Sequence, residues 1–169
     1  DNWDRYPMAN PDHLSTQTQR VLANALSEAA RMKQAKIGPE HLLLGLLLEE
    51  NCRAEQVLRR LDVTVTDVRN AIPNWVARGR LFPFMKPQLA DDSHRALELA
   101  VEEMRRAAQQ EVSPDHLLLG LLRQKNSIAE GILSDMGVTA EKVRIKLSRM
   151  PGDPSGQASV NAVQNRGVL

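Results

Sequence analysis

Leu22, Ala25, Leu26, Ala29 and Met32 recur at the three- and four-residue spacing that puts apolar side chains on one face of a helix. Leu97, Ala100, Val101 and Met104 repeat that stripe further along the chain. Each stripe is followed by a denser apolar run, with residues 42–48 apolar on every face, which predicts a central helix buried on most sides. Gly38-Pro39 and Ser113-Pro114 precede these runs. A small capping residue followed by Pro at the first helical position is a start signal, because Pro surrenders no N–H that the helix needs there. Gly45 and Gly120 interrupt the two central helices at a cost of about 1 kcal/mol each relative to Ala, which predicts a neighbouring helix crossing closely at those points.

Two further helices follow in each half. A short third helix is expected after Asn51 and Asn126, with Ser127 and Glu130 at the spacing of a capping box. Asp62 and Gly137 stand at its end. The fourth helix starts from Thr64 or Thr139, with Asp67 placed to close a capping box in the first half only. Ser15 is the expected cap of the first helix, and Asp91 or Asp92 of its counterpart. Alternating strand patterns bounded by hairpin turns are absent, so the expectation is all-α.

The halves are copies. Residues 14–72 align with 89–147 without a gap, and 23 of 59 positions are identical. The block I-G-P-E-H-L-L-L-G-L-L (37–47) matches V-S-P-D-H-L-L-L-G-L-L (112–122) at eight of eleven positions. A repeat of about 60 residues present twice fits a pseudo-symmetric pair of small bundles better than a solenoid. The expected layout is an arm at 1–13, repeat 1 at 14–80, a proline-punctuated linker at 81–88, repeat 2 at 89–150 and a flexible tail at 151–169. Trp3, Tyr6, Trp75, Phe82 and Phe84 lie outside the aligned copies, where they are expected to pin arm and linker to the bundle rather than to present an aromatic anchor to a partner.

Composition narrows the function. The chain has 169 residues, 42% of them hydrophobic, with 22 Lys plus Arg against 21 Asp plus Glu. A net charge of +1 gives no electrostatic case for nucleic acid or an anionic membrane. No apolar run approaches the roughly 20 residues of a membrane span, and 1–12 does not read as a signal peptide. A reducing, cytoplasmic setting is expected. Cys52 is the single cysteine, so no internal disulfide or thiolate metal cluster can form. His41 and His116 have no nucleophile or metal set at recognisable spacing and are read as neutral residues that bond locally near the helix starts. His94 reads as a surface residue. Arg53, Arg59, Arg60, Arg69, Arg78 and Arg80 read as a solvated face. Glu102 and Glu103, adjacent on a helix, point about 100° apart and make no acid/base dyad. The chain is expected not to be an enzyme and to use no cofactor or metal.

The doubled G-P-E-H-L-L-L-G-L and S-P-D-H-L-L-L-G-L, followed by A-E-x-(V/I)-L and V-T-x-x-x-V-R, resembles the N-terminal domain of Clp unfoldases of the ClpC type, where the block typically reads G-T-E-H-I-L-L-G-L. The resemblance covers residues 14–150. It implies one compact domain of two four-helix repeats that receives substrates or adaptors for a ring-shaped ATP-driven unfoldase and its peptidase. In ClpC-type members such a domain also recognises phosphorylated arginine. On that basis Glu40 and Asp115 are candidate guanidinium acceptors. Ser15 is a candidate hydroxyl matched to Glu40, whereas Ala90 holds the equivalent place beside Asp115. His94 and Arg95 are candidate basic groups for a phosphate.

Three departures bear on this. Pro39 and Pro114 replace the usual Thr, Asp115 is one methylene shorter than Glu, and the G-x-x-x-x-G-K-[ST] nucleotide loop is absent from the 169 residues. The expected role is therefore recognition, as an excised domain or a free-standing adaptor, with Clp components, substrates or adaptors as partners. The alternative is a helical interaction module that keeps the fold and binds an unrelated partner.

Overall fold

The computed structural model describes residues 13–76 and 86–151, so the arm, most of the linker, the tail and four of the five aromatics lie outside the described residues. Repeat 1 comprises α1 (Thr16–Arg31), α2 (Pro39–Leu48), α3 (Arg53–Arg60) and α4 (Val65–Ala71), with a 3-10 turn at Ile72–Asn74. Repeat 2 comprises α5 (Asp91–Arg106), α6 (Pro114–Arg123), α7 (Ile128–Asp135) and α8 (Ala140–Arg149). The protein is an all-helical double repeat, as the apolar periodicity predicts.

Local chemistry sets most of the boundaries. Ser15 caps α1, its hydroxyl accepting from the Thr18 N–H at 3.1 Å. Thr64 and Thr139 cap α4 and α8 in the same way. The third helices follow the Asn positions, starting at Arg53 and Ile128: Cys52 and Ser127 are the caps, while Asn51 and Asn126 take positive φ values of 69° and 68° in the preceding turn. Asp62 (φ 61°) and Gly137 (φ 76°) both end the third helices in the left-handed region, which explains why an Asp stands where the other copy has Gly.

Two capping assignments need correction. Ala90, not Asp91 or Asp92, precedes α5, and its side chain caps nothing; both acids fall inside the first turn, where they meet the positive end of the helix dipole. The Asp67 carboxylate accepts from the Thr64 hydroxyl at 2.8 Å and so reinforces the cap through the side chain.

Within each copy the first two helices pack along each other, α1 on α2 and α5 on α6. The glycines mark the crossing: a Cβ on Gly120 would stand 2.6 Å from the Ala96 carbonyl oxygen, and one on Gly45 would run into the Val21 carbonyl. From Pro39 to Leu47 every residue of α2 is buried, and together with α6 it forms the centre of one core shared by both copies.

Strand pairing among the described residues is confined to two short parallel contacts, which leave the all-α class intact. Lys36–Ile37 (β1) pairs in parallel with Gln88–Leu89 (β2), and Leu14 bridges Val112 in the mirrored position. A two-residue pair and a single bridge are too short to leave an alternating pattern in the sequence. They cross the repeats: the segment entering α5 pairs beside the start of α2, and the segment entering α1 pairs beside the start of α6.

Candidate functional site

The two carboxylates predicted as guanidinium acceptors occupy equivalent second positions in α2 and α6. Their surroundings differ. Glu40 is 5% exposed, and its Oε2 has no hydrogen-bond partner. The carboxylate folds back over Gly38, so a Cβ on residue 38 would stand 2.5 Å from it; Ser113, with a side chain, holds that place in the second copy. Burial raises the Glu40 pKa above the usual carboxylate range, and negative charge on Asp92 adds to the effect.

Asp115 faces a cation. Arg53, the first residue of α3, donates from Nη1 to Asp115 Oδ2 at 3.0 Å and from Nη2 to the Leu147 carbonyl at 2.8 Å. Arg53 is thus half-buried and engaged, which corrects its reading as part of a solvated face. At the equivalent position of α7 the residue is Ile128, and α7 packs on α2 as α3 packs on α6.

The crossed strand pairs also exchange the remaining candidates. Ser15 donates its N–H to Val112 at 3.0 Å, and Thr18 donates its hydroxyl to the same carbonyl at 2.7 Å, so this segment lies next to the Asp115 helix start. The Ala90 N–H and Ser93 hydroxyl donate to Ile37 at 3.1 and 2.6 Å, which places the start of α5 next to the Glu40 helix start. Matching Ser15 with Glu40 and Ala90 with Asp115 is therefore corrected: each site is built from both copies, and Ser15 belongs to the Asp115 side. Its hydroxyl is already engaged in the α1 cap.

His94 is 2% exposed rather than a surface residue, because it follows Ser93 on the face of α5 turned to the core. Arg95 is exposed and pairs with Glu98 on its own helix at 3.0 Å. His41 and His116 accept the N–H of Gly38 and Ser113 at their Nδ1 atoms, at 2.9 and 3.0 Å. Protonation at Nδ1 would abolish those bonds. Burial pushes His41 down to about 4 and lowers His116 as well, so both are neutral at pH 7, as expected. Cys52 is buried, its sulfur accepts the Glu55 N–H, and burial pushes the thiol up to about 11; it is no nucleophile at neutral pH.

Sequence reasoning missed a second pair of buried carboxylates. Glu28 on α1 is held by Arg31 and by Arg69 of α4; Glu103 on α5 receives Arg144 of α8 at 2.7 and 2.9 Å, with Arg123 at 3.3 Å. The guanidinium groups hold both carboxylates below the usual range against the opposing effect of burial. The signal was present in the repeat: Glu28/Glu103, Arg31/Arg106 and Arg69/Arg144 are identical across the copies. These clusters tie the first helix of each copy to the fourth.

Trp75 is 45% exposed, and its ring lies over Gly131 of α7, joining the end of repeat 1 to repeat 2. With Ala71, Asn74, Ile132, Asp135 and Met136 it borders an open cleft of about 370 Å³. No group of His, Cys, Asp and Glu among the described residues could hold a metal ion, and no described helix is long and apolar enough to cross a membrane.

Among the described residues, eight helices in two copies with a carboxylate at the start of each central helix define a duplicated all-α domain. The chain belongs to the Clp repeat (R) N-terminal domain family, which it matches over residues 13–107 and again over 88–164. It is 33% identical over 147 residues to an "ATP-dependent Clp protease ATP-binding subunit ClpA homolog" of Cyanidium caldarium, covering 87% of this chain and 17% of that protein. It is 31% identical over 134 residues to "Chaperone protein ClpC1, chloroplastic" of Arabidopsis thaliana, covering 79% and 14% respectively. The chain thus spans about a sixth of the length of these relatives. Among solved structures, the N-domain of ClpV from Vibrio cholerae superposes with a TM-score of 0.68 at 19% identity, over 84% of this chain and 86% of that one. The N-terminal domain of ClpD from Arabidopsis thaliana gives 0.66 at 21%, over 83% and 99%. A ClpV N-domain has also been solved in complex with a VipB peptide, with a TM-score of 0.66 at 19% identity over 85% of this chain and 88% of that one.

Proposed function

We propose that the chain is a substrate- or adaptor-recognition domain serving Clp-type ATP-dependent unfolding and degradation, and that it takes a guanidinium group at Glu40. One observation carries the site: Glu40 is a buried carboxylate with an unpartnered oxygen, at the position where its counterpart Asp115 holds an arginine side chain. Burying an ionised carboxylate costs free energy until a cation or a set of donors meets it. A guanidinium entering beside α2 supplies both. Family membership, and the peptide bound by a related N-domain, support protein partners in general.

Phosphoarginine is the modified form of this ligand class in the reading. Asp92 places a second negative charge near Glu40, which disfavours an added phosphate and favours unmodified arginine. Under this proposal the chain binds and presents, with no turnover of its own, in the cytoplasmic setting expected from its sequence.

Calorimetric titration with an arginine peptide and its phosphoarginine counterpart tests the assignment. One site is expected, weakened at least tenfold in Glu40→Gln, since a charge-assisted hydrogen bond is worth about 1.5–3 kcal/mol. Binding indifferent to Glu40 overturns the site. Mixing the domain with a Clp unfoldase and its peptidase tests the role: a changed pattern of degraded substrates is expected, and an unchanged pattern without a detectable complex refutes it.

A further inference from the structure

Arg53 has no basic counterpart in the other repeat, and its guanidinium sits where the pseudo-symmetry puts the ligand of a carboxylate site. Its two terminal nitrogens serve two acceptors on different helices, Asp115 at the start of α6 and the Leu147 carbonyl on α8. A planar fork can satisfy both at once, whereas an ammonium offers a single point of charge. Arg53 is placed there by its backbone: Cys52 caps α3 through its sulfur, which makes residue 53 the first helical position and directs it across the repeat boundary. The Arg53 and Asp115 side chains are 24% and 15% exposed, so the contact opens to solvent along one edge. The equivalent position opposite Glu40 carries Ile128, which has no donor to give.

We propose that Arg53 is a built-in occupant of a second guanidinium site formed by Asp115 and the Leu147 carbonyl, and that it restricts ligand recognition to the Glu40 side. The restriction rests on the reading of Glu40 given above; the occupancy rests on the Arg53 geometry alone. Removing the Arg53 side chain leaves a carboxylate and a carbonyl lining a slot shaped by a guanidinium. An external arginine side chain then fits where the internal one was. The two copies thus carry the same recognition chemistry, with one copy supplied from within.

The test uses acetyl-arginine methylamide as probe, with acetyl-lysine methylamide as control, in titrations followed by amide chemical shifts. The background is Glu40→Gln, which takes the first site out of the measurement. Arg53→Ala in that background is expected to bind one arginine probe at least tenfold more tightly than Glu40→Gln alone. Adding Asp115→Asn is expected to abolish the gain. Arg53→Gln serves the same purpose if the alanine variant does not fold. No gain in the double variant, or a gain that survives Asp115→Asn, overturns the occupancy. Failure of the Glu40 site is read separately, from wild-type protein that binds no probe while Arg53→Ala binds one.

Discussion

Replacing Gly120 by Ala sets two effects of opposite sign against each other. In an exposed helix the substitution is favourable by about 1 kcal/mol, because Gly loses more backbone freedom than Ala on folding. At this crossing the added methyl would stand 2.6 Å from the Ala96 carbonyl oxygen and 2.8 Å from the Ala100 nitrogen. Both obstacles are backbone atoms of α5, and no rotamer change moves them aside. Restoring an ordinary contact distance near 3.5 Å requires α5 and α6 to part by up to about 0.9 Å along a seam that includes Leu97, Ala100, Leu117 and Leu121, each fully buried. Overpacking of this kind costs about 1–3 kcal/mol, and the rigidity of the obstacle places this case at the upper end. The expected net loss is about 2 kcal/mol, or a drop of roughly 4–8 °C in Tm for a domain of this size. Urea unfolding followed by far-UV circular dichroism measures it. A variant as stable as the parent, or more so, would show that helix propensity governs the position and that the close crossing is not a constraint.

Leu44→Ala should leave a cavity in the shared core and cost about 2–5 kcal/mol, measured by the same unfolding experiment; a loss under about 0.5 kcal/mol contradicts the central placement of α2. Glu103→Gln should destabilise by about 1–3 kcal/mol, because Arg144 and Arg123 lose a charged acceptor, and an unchanged midpoint at pH 7 would contradict the tie between α5 and α8. His41 should make acid unfolding steeper. Its pKa is lowered on folding to about 4, so its contribution is fully present above 6.5 and is lost as pH falls toward 4, about 3 kcal/mol in all. A His41→Gln variant whose stability falls as steeply as the parent's across that window refutes the assignment. Glu40 runs the other way: its folded pKa is raised, so stability declines as pH rises from about 4.5, and Glu40→Gln should flatten that decline in a pH series of melting temperatures.

The helical layout was legible because its causes are local. Spacing of Leu, Ala, Val and Met sets the buried stripes, and Ser15, Thr64, Ser127 and Thr139 end up as caps where their hydroxyls meet free N–H groups. Gly45 and Gly120 announced a tertiary contact through a local cost, since a mid-helix Gly in both copies needs a reason outside the helix. What was not legible depended on partners distant in the chain. Arg53 and Asp115 are separated by 62 residues and carry no signature of pairing until α3 is laid across α6. His94 reads as polar surface from its type, yet the pitch of α5 carries it to the buried face beside Ser93 and Leu97. The cap of α5 was misread because Asp91 and Asp92 fit an N-cap by residue type, while the strand pair at Gln88–Leu89 fixes the helix entry one residue earlier.

Aligning one repeat on the other identifies equivalent positions, but it leaves open which copy supplies each neighbour. The alignment sets Ser15 against Ala90 and Glu40 against Asp115, and the simplest inference is that a site draws on one copy. The parallel pairings at Lys36–Ile37 and at Leu14 exchange the entering segments between copies, so Ser15 flanks Asp115 and Ala90 flanks Glu40. Exchange also gives the two sites separate neighbours. A change at residue 53 acts on the Asp115 site of the other copy, and one at residue 128 lies on α7, which packs against α2, the helix that carries Glu40. Arg53 and Ile128 therefore let one duplicated scaffold hold a carboxylate paired with an arginine in one copy and a carboxylate with one unpartnered oxygen in the other, although the helix starts that carry them are nearly identical.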